Sequence, residues 1–192
     1  IDPTHHIKKK SQYLFQEIAQ QINVEYKHKD MLFVDFKREP LIPRNYSFNG
    51  PSIAVADING DELDDFYISG SFPYFGKFFT QNKDGTFDTI PAAFNKNHEG
   101  QASLFFDSDN DGDQDLYVVT GGNEFAPNSS AYLDRLYIND GNGNFKFERA
   151  FLPEIYESGA TVNPFDFDND GDLDLFIGSR MIPWNYPEPA SS

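Results

Sequence analysis

The chain has no cysteine, which excludes a disulfide framework, a thiolate metal site and a cysteine nucleophile. Basic residues are scarce: 15 Lys and Arg stand against 31 Asp and Glu, for a formal charge of -16. Nucleic-acid phosphates need Lys and Arg to replace their counterions, and anionic membrane surfaces repel acidic proteins, so neither is expected as a partner. No apolar run approaches the ~20 residues of a membrane-spanning helix. Also missing are GxSxG, HExxH and a glycine-rich phosphate cradle. Of the four histidines, His5 and His6 stand near a start that reads as processed or tag-like, because Ile1-Asp2-Pro3-Thr4 lacks an initiator Met. His28 and His98 have no recognisable partner motif. The expectation is a protein that is not an enzyme, although paired carboxylates for glycoside chemistry leave no sequence signature.

Aromatic residues, by contrast, are plentiful. Twenty Phe and ten Tyr in 192 residues supply a core and argue against a disordered, weakly hydrophobic chain. The acidity is local. Fifteen of the 31 acidic residues fall in three nine-residue windows, 57–65, 107–115 and 166–174, at five each. Three divalent cations would bring the formal charge from -16 to about -10, so the excess reads as metal ligation rather than a solvated acidic face.

Aligned on Asp57, Asp107 and Asp166, the windows repeat at spacings of 50 and 59 residues. A short apolar run precedes each: residues 52–56, 102–106 and 161–165. Another follows each: 66–70, 116–121 and 175–179. Their length, β-branched and aromatic content and closing glycines predict strands. In two repeats a third and a fourth strand flank turns at Asp84-Gly85 and Asp140-Gly141-Asn142-Gly143, whose glycines supply the positive φ of tight hairpins. Each unit is then a four-stranded antiparallel meander of the size of a β-propeller blade, which cannot bury its faces alone. The predicted fold class is all-β. The predicted organisation is an N-terminal segment over 1–49, blades over 50–100 and 101–158, and an incomplete blade over 159–192. About two and a half to three blades cannot close a ring, so the chain reads as a fragment. Within 1–49 the pattern predicts a short helix over 13–22 and a strand over 31–36.

The windows place oxygen ligands at positions 1, 3, 5 and 9, with a backbone carbonyl at position 7. The predicted metal residues are Asp57, Asn59, Asp61, Leu63 and Asp65 in the first loop, then Asp107, Asp109, Asp111, Asp113 and Asp115 in the second. In the third they are Asp166, Asp168, Asp170, Asp172 and Asp174. Six or seven hard oxygens with several carboxylates suit Ca2+ better than Mg2+, whose octahedral demand is stricter. Turns rich in Asp, Asn and Gly look similar singly, but three in register between strands point to metal. An EF-hand needs a Glu at position 12 and flanking helices. Position 12 here is Ile68, Val118 or Ile177, each in an apolar strand. The first loop departs from its siblings, with Asn59 for Asp and Glu62 in place of the position-6 glycine, so it is expected to bind most weakly.

These loops, their flanking strands and the later Asn-x-x-Gly-x-Phe turns resemble the FG-GAP or VCBS-type repeats of the integrin α-subunit propeller and its bacterial relatives. The resemblance covers most of residues 50–182. Asn49-Gly50-Pro51, Leu136-Tyr137-Ile138-Asn139-Asp140-Gly141 and Gly178-Ser179-Arg180 are similar to bacterial secreted or surface proteins of the kind often joined to an ASPIC/UnbV segment. The resemblance implies a seven-bladed propeller, integrin α-like, with calcium in up to three of the loops present here. It does not imply one activity.

A meander puts the acidic loops at one end. The longer loops over 70–76 and 121–132 and the Trp184–Tyr186 tail lie at the other, which is the expected recognition surface. Phe72, Tyr74 and Phe125 either meet a ligand there or pack locally. The expected role is extracellular, cell-surface or periplasmic recognition or adhesion, with a protein or glycan ligand. The alternatives are part of a polysaccharide-acting propeller enzyme and a purely structural scaffold. An open blade face also invites self-association.

Overall fold

The computed structural model describes residues 15–92 and 98–190. Each acidic loop joins an antiparallel pair, so strand spacing follows the repeat. Strand β1 (Ile53–Ala56) pairs with β2 (Asp65–Ile68), β5 (Gly100–Phe106) with β6 (Asp115–Thr120), and β9 (Ser158–Phe165) with β10 (Asp174–Met181). In every pair the last residue before the loop faces its position-9 Asp: Ala56 with Asp65, Phe106 with Asp115, and Phe165 with Asp174. Strands β3 (Lys77–Gln81) and β4 (Phe87–Pro91) complete the first sheet, and β7 (Arg135–Ile138) and β8 (Lys146–Glu148) complete the second. Both run in sequential order, while the third sheet is the two-stranded β9–β10.

The period of two along each strand sorts side chains between neighbouring sheets. On β6, Leu116 and Val118 join Ala54, Tyr67 and Phe78 of the first sheet, while Tyr117 and Val119 join Val162, Leu175 and Ile177 of the third. All six residues of β6 are therefore buried. Each large apolar side chain taken out of water contributes about 1.5–3 kcal/mol, so the middle sheet anchors the stack. At the ends the pattern is left uncovered: Ile53 and Val55 on the first sheet and Phe165 and Phe176 on the third are exposed. The backbones of adjacent sheets also touch. Gly100 N–H donates to the Gly70 carbonyl (3.1 Å), and Ser69 Oγ donates to the Gly100 carbonyl (2.8 Å).

The segment before residue 50 departs from its sequence reading. Of the helix predicted over 13–22, Tyr13 and Leu14 lie outside the described residues. The remainder is a turn, closed by Ile22 N–H to Ile18 O (3.2 Å) and Val24 N–H to Ala19 O (2.8 Å). The predicted strand over 31–36 is irregular chain running into a 3-10 turn at Asp35–Lys37. It has no neighbouring ladder, and Leu32 is 96 % exposed. The chain instead bends around the fully buried Asp35, which accepts from Ser47 N (3.0 Å) and Oγ (2.6 Å) and from Tyr46 N. This segment straps the first sheet through Phe87 N–H to Ile22 O (2.9 Å) and Tyr26 Oη to Ser69 O (3.0 Å).

Candidate functional site

One local geometry recurs in the three acidic loops. The position-1 carboxylate accepts from the position-6 N–H: Asp57 from Glu62 (2.8 Å), Asp107 from Gly112 (3.0 Å) and Asp166 from Gly171 (3.2 Å). The position-5 carboxylate accepts from the position-7 N–H: Asp61 from Leu63 (3.0 Å), Asp111 from Asp113 (2.9 Å) and Asp170 from Asp172 (3.0 Å). The position-9 carboxylate reaches back to position 2: Asp65 to Ile58 N (3.2 Å), Asp115 to Ser108 N (3.0 Å) and Asp174 to Phe167 N (2.8 Å). These bonds curl the chain so that alternate side chains converge.

Convergence is tightest at positions 1, 3 and 9. Asp107, Asp109 and Asp115 each offer an oxygen within 4.8 Å of the others, and Asp166, Asp168 and Asp174 do the same. Asp111 and Asp170 stand outside these groups, as do the side chains of Asp113 and Asp172, whose expected ligand is a carbonyl. In the first loop, Asn59 takes the position of the third carboxylate and accepts from Asp61 N (3.0 Å). Mutual repulsion follows. Asp109 is raised by desolvation and then by the charges of Asp111 and Asp115, and Asp113 by desolvation and then by Asp111, Asp115, Asp107 and Asp140. Asp65 is raised by desolvation, only partly offset by N–H bonds from Gln81 and Ile58. At Asp57 the balance reverses: four backbone N–H groups outweigh desolvation and lower its carboxyl. Clustered hard oxygens whose charges oppose one another fit a divalent cation in chemistry and position.

Two features of this end are not evident from the motif. The second oxygen of the position-9 Asp ties its loop to the end of the third strand, through Gln81 N to Asp65 (2.7 Å) and Asn139 N to Asp115 (2.8 Å). Asn139 Nδ2 also donates to the Ile58 carbonyl (2.8 Å), clamping the first loop to the second sheet. The Asn139-Asp140-Gly141 turn is the only sequence mark of that clamp.

At the opposite end the aromatic loops divide. Phe72 packs edge-on against Phe125 with centroids 5.2 Å apart, and Phe125 against Tyr132 at 6.1 Å, so those rings are structural. Tyr74 and Phe75 are 43 % and 41 % exposed. Trp184 stacks on Arg38 at 3.7 Å and donates to the Asn123 carbonyl (3.3 Å), fastening the tail to this end. Beneath lies a buried acid pair. Burial, then the neighbouring Glu124, push Glu99 far above the usual carboxylate range, and burial raises Glu124. No sequence pattern marks this pair.

Stacked antiparallel meanders with their first-to-second-strand loops gathered at one end define a segment of a β-propeller. The FG-GAP-like repeat model matches residues 57–118 and again 107–177, each match opening on the first Asp of an acidic loop. The chain belongs to the FG-GAP-like repeat family. A comparison with the curated proteins finds no match. No helix among the described residues is long and apolar enough to cross a membrane.

Proposed function

We propose that this chain is a calcium-stabilised propeller segment that serves recognition or adhesion outside the cytoplasm, at the cell surface or in the periplasm, without catalysis. One observation carries the calcium reading: three carboxylates brought within 4.8 Å of one another, twice, in loops of one geometry. Ca2+ tolerates six to eight oxygens in flexible arrangement, and the first loop, with Asn59, makes a weaker site. In this reading such ions brace the blade ends, and the opposite end is the surface left for contact with a protein or glycan. The buried Glu99–Glu124 pair does not favour catalysis, since residues 2 % and 8 % exposed offer a substrate no access.

Because the ion binds the folded chain and not the unfolded one, Ca2+ at about 100 times Kd should add about 2.7 kcal/mol per site and raise Tm. Calorimetric titration should count two sites, or three with the weaker first loop. A melting curve indifferent to EDTA and to added Ca2+ would overturn the ligation. A glycan array and a hydrolase and lyase screen test the remainder, and turnover that depends on a single acid outside the loops would favour an enzyme. The uncovered faces at Ile53 and Val55 and at Phe165 and Phe176 favour self-association, read by sedimentation velocity.

A further inference from the structure

A cleft of about 400 Å³ opens at the end opposite the acidic loops, between the strap over residues 26–29 and the β2–β3 loop. In a chain with twice as many acidic as basic residues, its lining is inverted. Lys27, Lys29, Lys77 and His28 border it, and among the described residues no Asp or Glu does, the nearest strap acid, Asp30, lying behind His28 at 2.7 Å. Its aromatic wall is Tyr26, Tyr74 and Phe75, the last two of them exposed.

The charges are presented by construction. Exposure alternates along the strap, with Lys27 and Lys29 outward and Tyr26, His28 and Asp30 half-buried beneath them. The inner three residues form a chain of hydrogen bonds. Tyr26 Oη lies 3.0 Å from the Ser69 carbonyl and 3.1 Å from His28 Nδ1, and His28 Nε2 lies 2.7 Å from Asp30. This fixes the strap against the first sheet and leaves the two exposed lysines at the border of the cleft. Lys29 sits over the Tyr74 ring at 5.6 Å. Lys77 spends one of its three N–H donors on the Glu25 carbonyl (3.3 Å). The cleft floor is stiff: a Cβ on Gly70 would fall 2.4 Å from Gly76 N, and one on Gly76 would fall 2.6 Å from Ile68 O. A site held in place before binding loses less on ordering.

The lining selects a ligand class. Lysine ammoniums are point charges that pair with a single anionic oxygen, a carboxylate or a phosphate alike, so the neighbouring aromatic surface makes the choice. Exposed aromatic faces beside them suit the apolar face of a sugar ring. A volume at the lower end of the ~300–1,000 Å³ of ligand pockets holds roughly one or two such rings. We infer that this cleft binds a uronic-acid residue of an acidic polysaccharide, its carboxylate between Lys29 and Lys77 and its ring against Tyr74. This rests on the recognition reading above and gives it a ligand class.

The test is calorimetric titration of the calcium-saturated chain with trigalacturonate, its neutral methyl ester, and inorganic phosphate. Trigalacturonate should bind at least about tenfold tighter than the ester, and less tightly as salt shortens the Debye length from about 10 Å toward 3 Å. An exposed ammonium–carboxylate contact is worth up to about fivefold. Lys29→Gln with Lys77→Gln should therefore weaken trigalacturonate about tenfold while leaving Tm and the calcium count unchanged. Tyr74→Ala should weaken acid and ester alike. Equal binding of acid and ester, phosphate competing as well as the uronate, an unaffected double variant, or no binding of trigalacturonate would each overturn the assignment. A neutral glycan or a protein captured on an array instead would sink this cleft but leave the recognition reading standing, and the calcium titration is independent of both.

Discussion

Replacing Glu62 by glycine should stabilise the chain, and the three loops together supply the magnitude. Each loop has positive φ at positions 4 and 6. The second uses Asn110 (+62°) and Gly112 (+94°), the third Asn169 (+62°) and Gly171 (+100°), and the first Gly60 (+75°) and Glu62 (+67°). Asparagine tolerates this region, but glutamate has no local bond that compensates, and the left-handed conformation costs an L-residue about 1–2 kcal/mol. Glycine removes that strain but adds about 0.5–1 kcal/mol of unfolded-state entropy. The net gain is then about 0.5–1 kcal/mol, or roughly 1–4 °C in Tm for a chain of this size. The Glu62 N–H bond to Asp57 (2.8 Å) belongs to the backbone and survives. The mirror change is Gly112→Ala. A Cβ there meets nothing within 4 Å, so the loss is backbone strain less the same unfolded-state entropy and should be about 0.5–1 kcal/mol. Scanning calorimetry in EDTA isolates the backbone term, and repeating it in Ca2+ asks whether the relaxed loop also binds more tightly. If Glu62→Gly leaves Tm unchanged or lower while Gly112→Ala costs nothing, the conformational argument fails.

Three other outcomes are expected. Asp168→Ala removes one of the three converging carboxylates of the third loop, so calorimetric titration should count one Ca2+ fewer, and an unchanged count would refute the ligand set. Glu99 is raised by burial and by Glu124 from 4.5 to about 10, so the folded state holds its proton after the unfolded chain has released it. Its contribution is therefore complete below about pH 4.5 and is lost as pH rises through about 10; Glu99→Gln should flatten the fall of Tm with pH across that window, and an unchanged slope would refute it. Gly159→Ala would place a Cβ 2.2 Å from Val119 Cγ1 and 2.8 Å from the Thr120 carbonyl, so overpacking between the second and third sheets should cost about 1–3 kcal/mol in chemical denaturation. An unaltered midpoint would mean that the sheets do not meet there.

What the sequence makes legible depends on whether local rules and packing demand the same thing. They agree in the repeats. Leu116 and Val118 alternate with Tyr117 and Val119 because two neighbouring sheets each take one set. The same period also marks the strand, and the Asp ladder beside it marks the loop. They disagree before residue 50. The apolar residues over 31–36 have strand character but no ladder to join, and Asp35 gathers the turn through bonds to residues 46 and 47. The converging positions 1, 3 and 9 belong to the motif, but the clamp from Asn139 to Ile58 crosses 81 residues, and nothing local announces it. The Glu99–Glu124 pair is likewise a product of the fold, since each residue reads as an ordinary acid until the fold buries it.

The strap over 26–30 shows the intermediate case, and it bears on where this chain meets a ligand. Its residues alternate like a half-buried strand, yet it joins no sheet. What holds the alternation is the bond chain from Ser69 through Tyr26 and His28 to Asp30. Those bonds occupy the polar groups of the inner face, so the lysines between them remain on the outer face. A reading of charge alone would average Lys27 and Lys29 into a net of -16 and predict that the whole chain repels anions. With a Debye length of about 8 Å at physiological salt, an exposed cluster of like charges is felt over its own cleft more than at the acidic loops on the far end. Local sign, rather than net charge, therefore decides what this face attracts, and here it opposes that of the molecule.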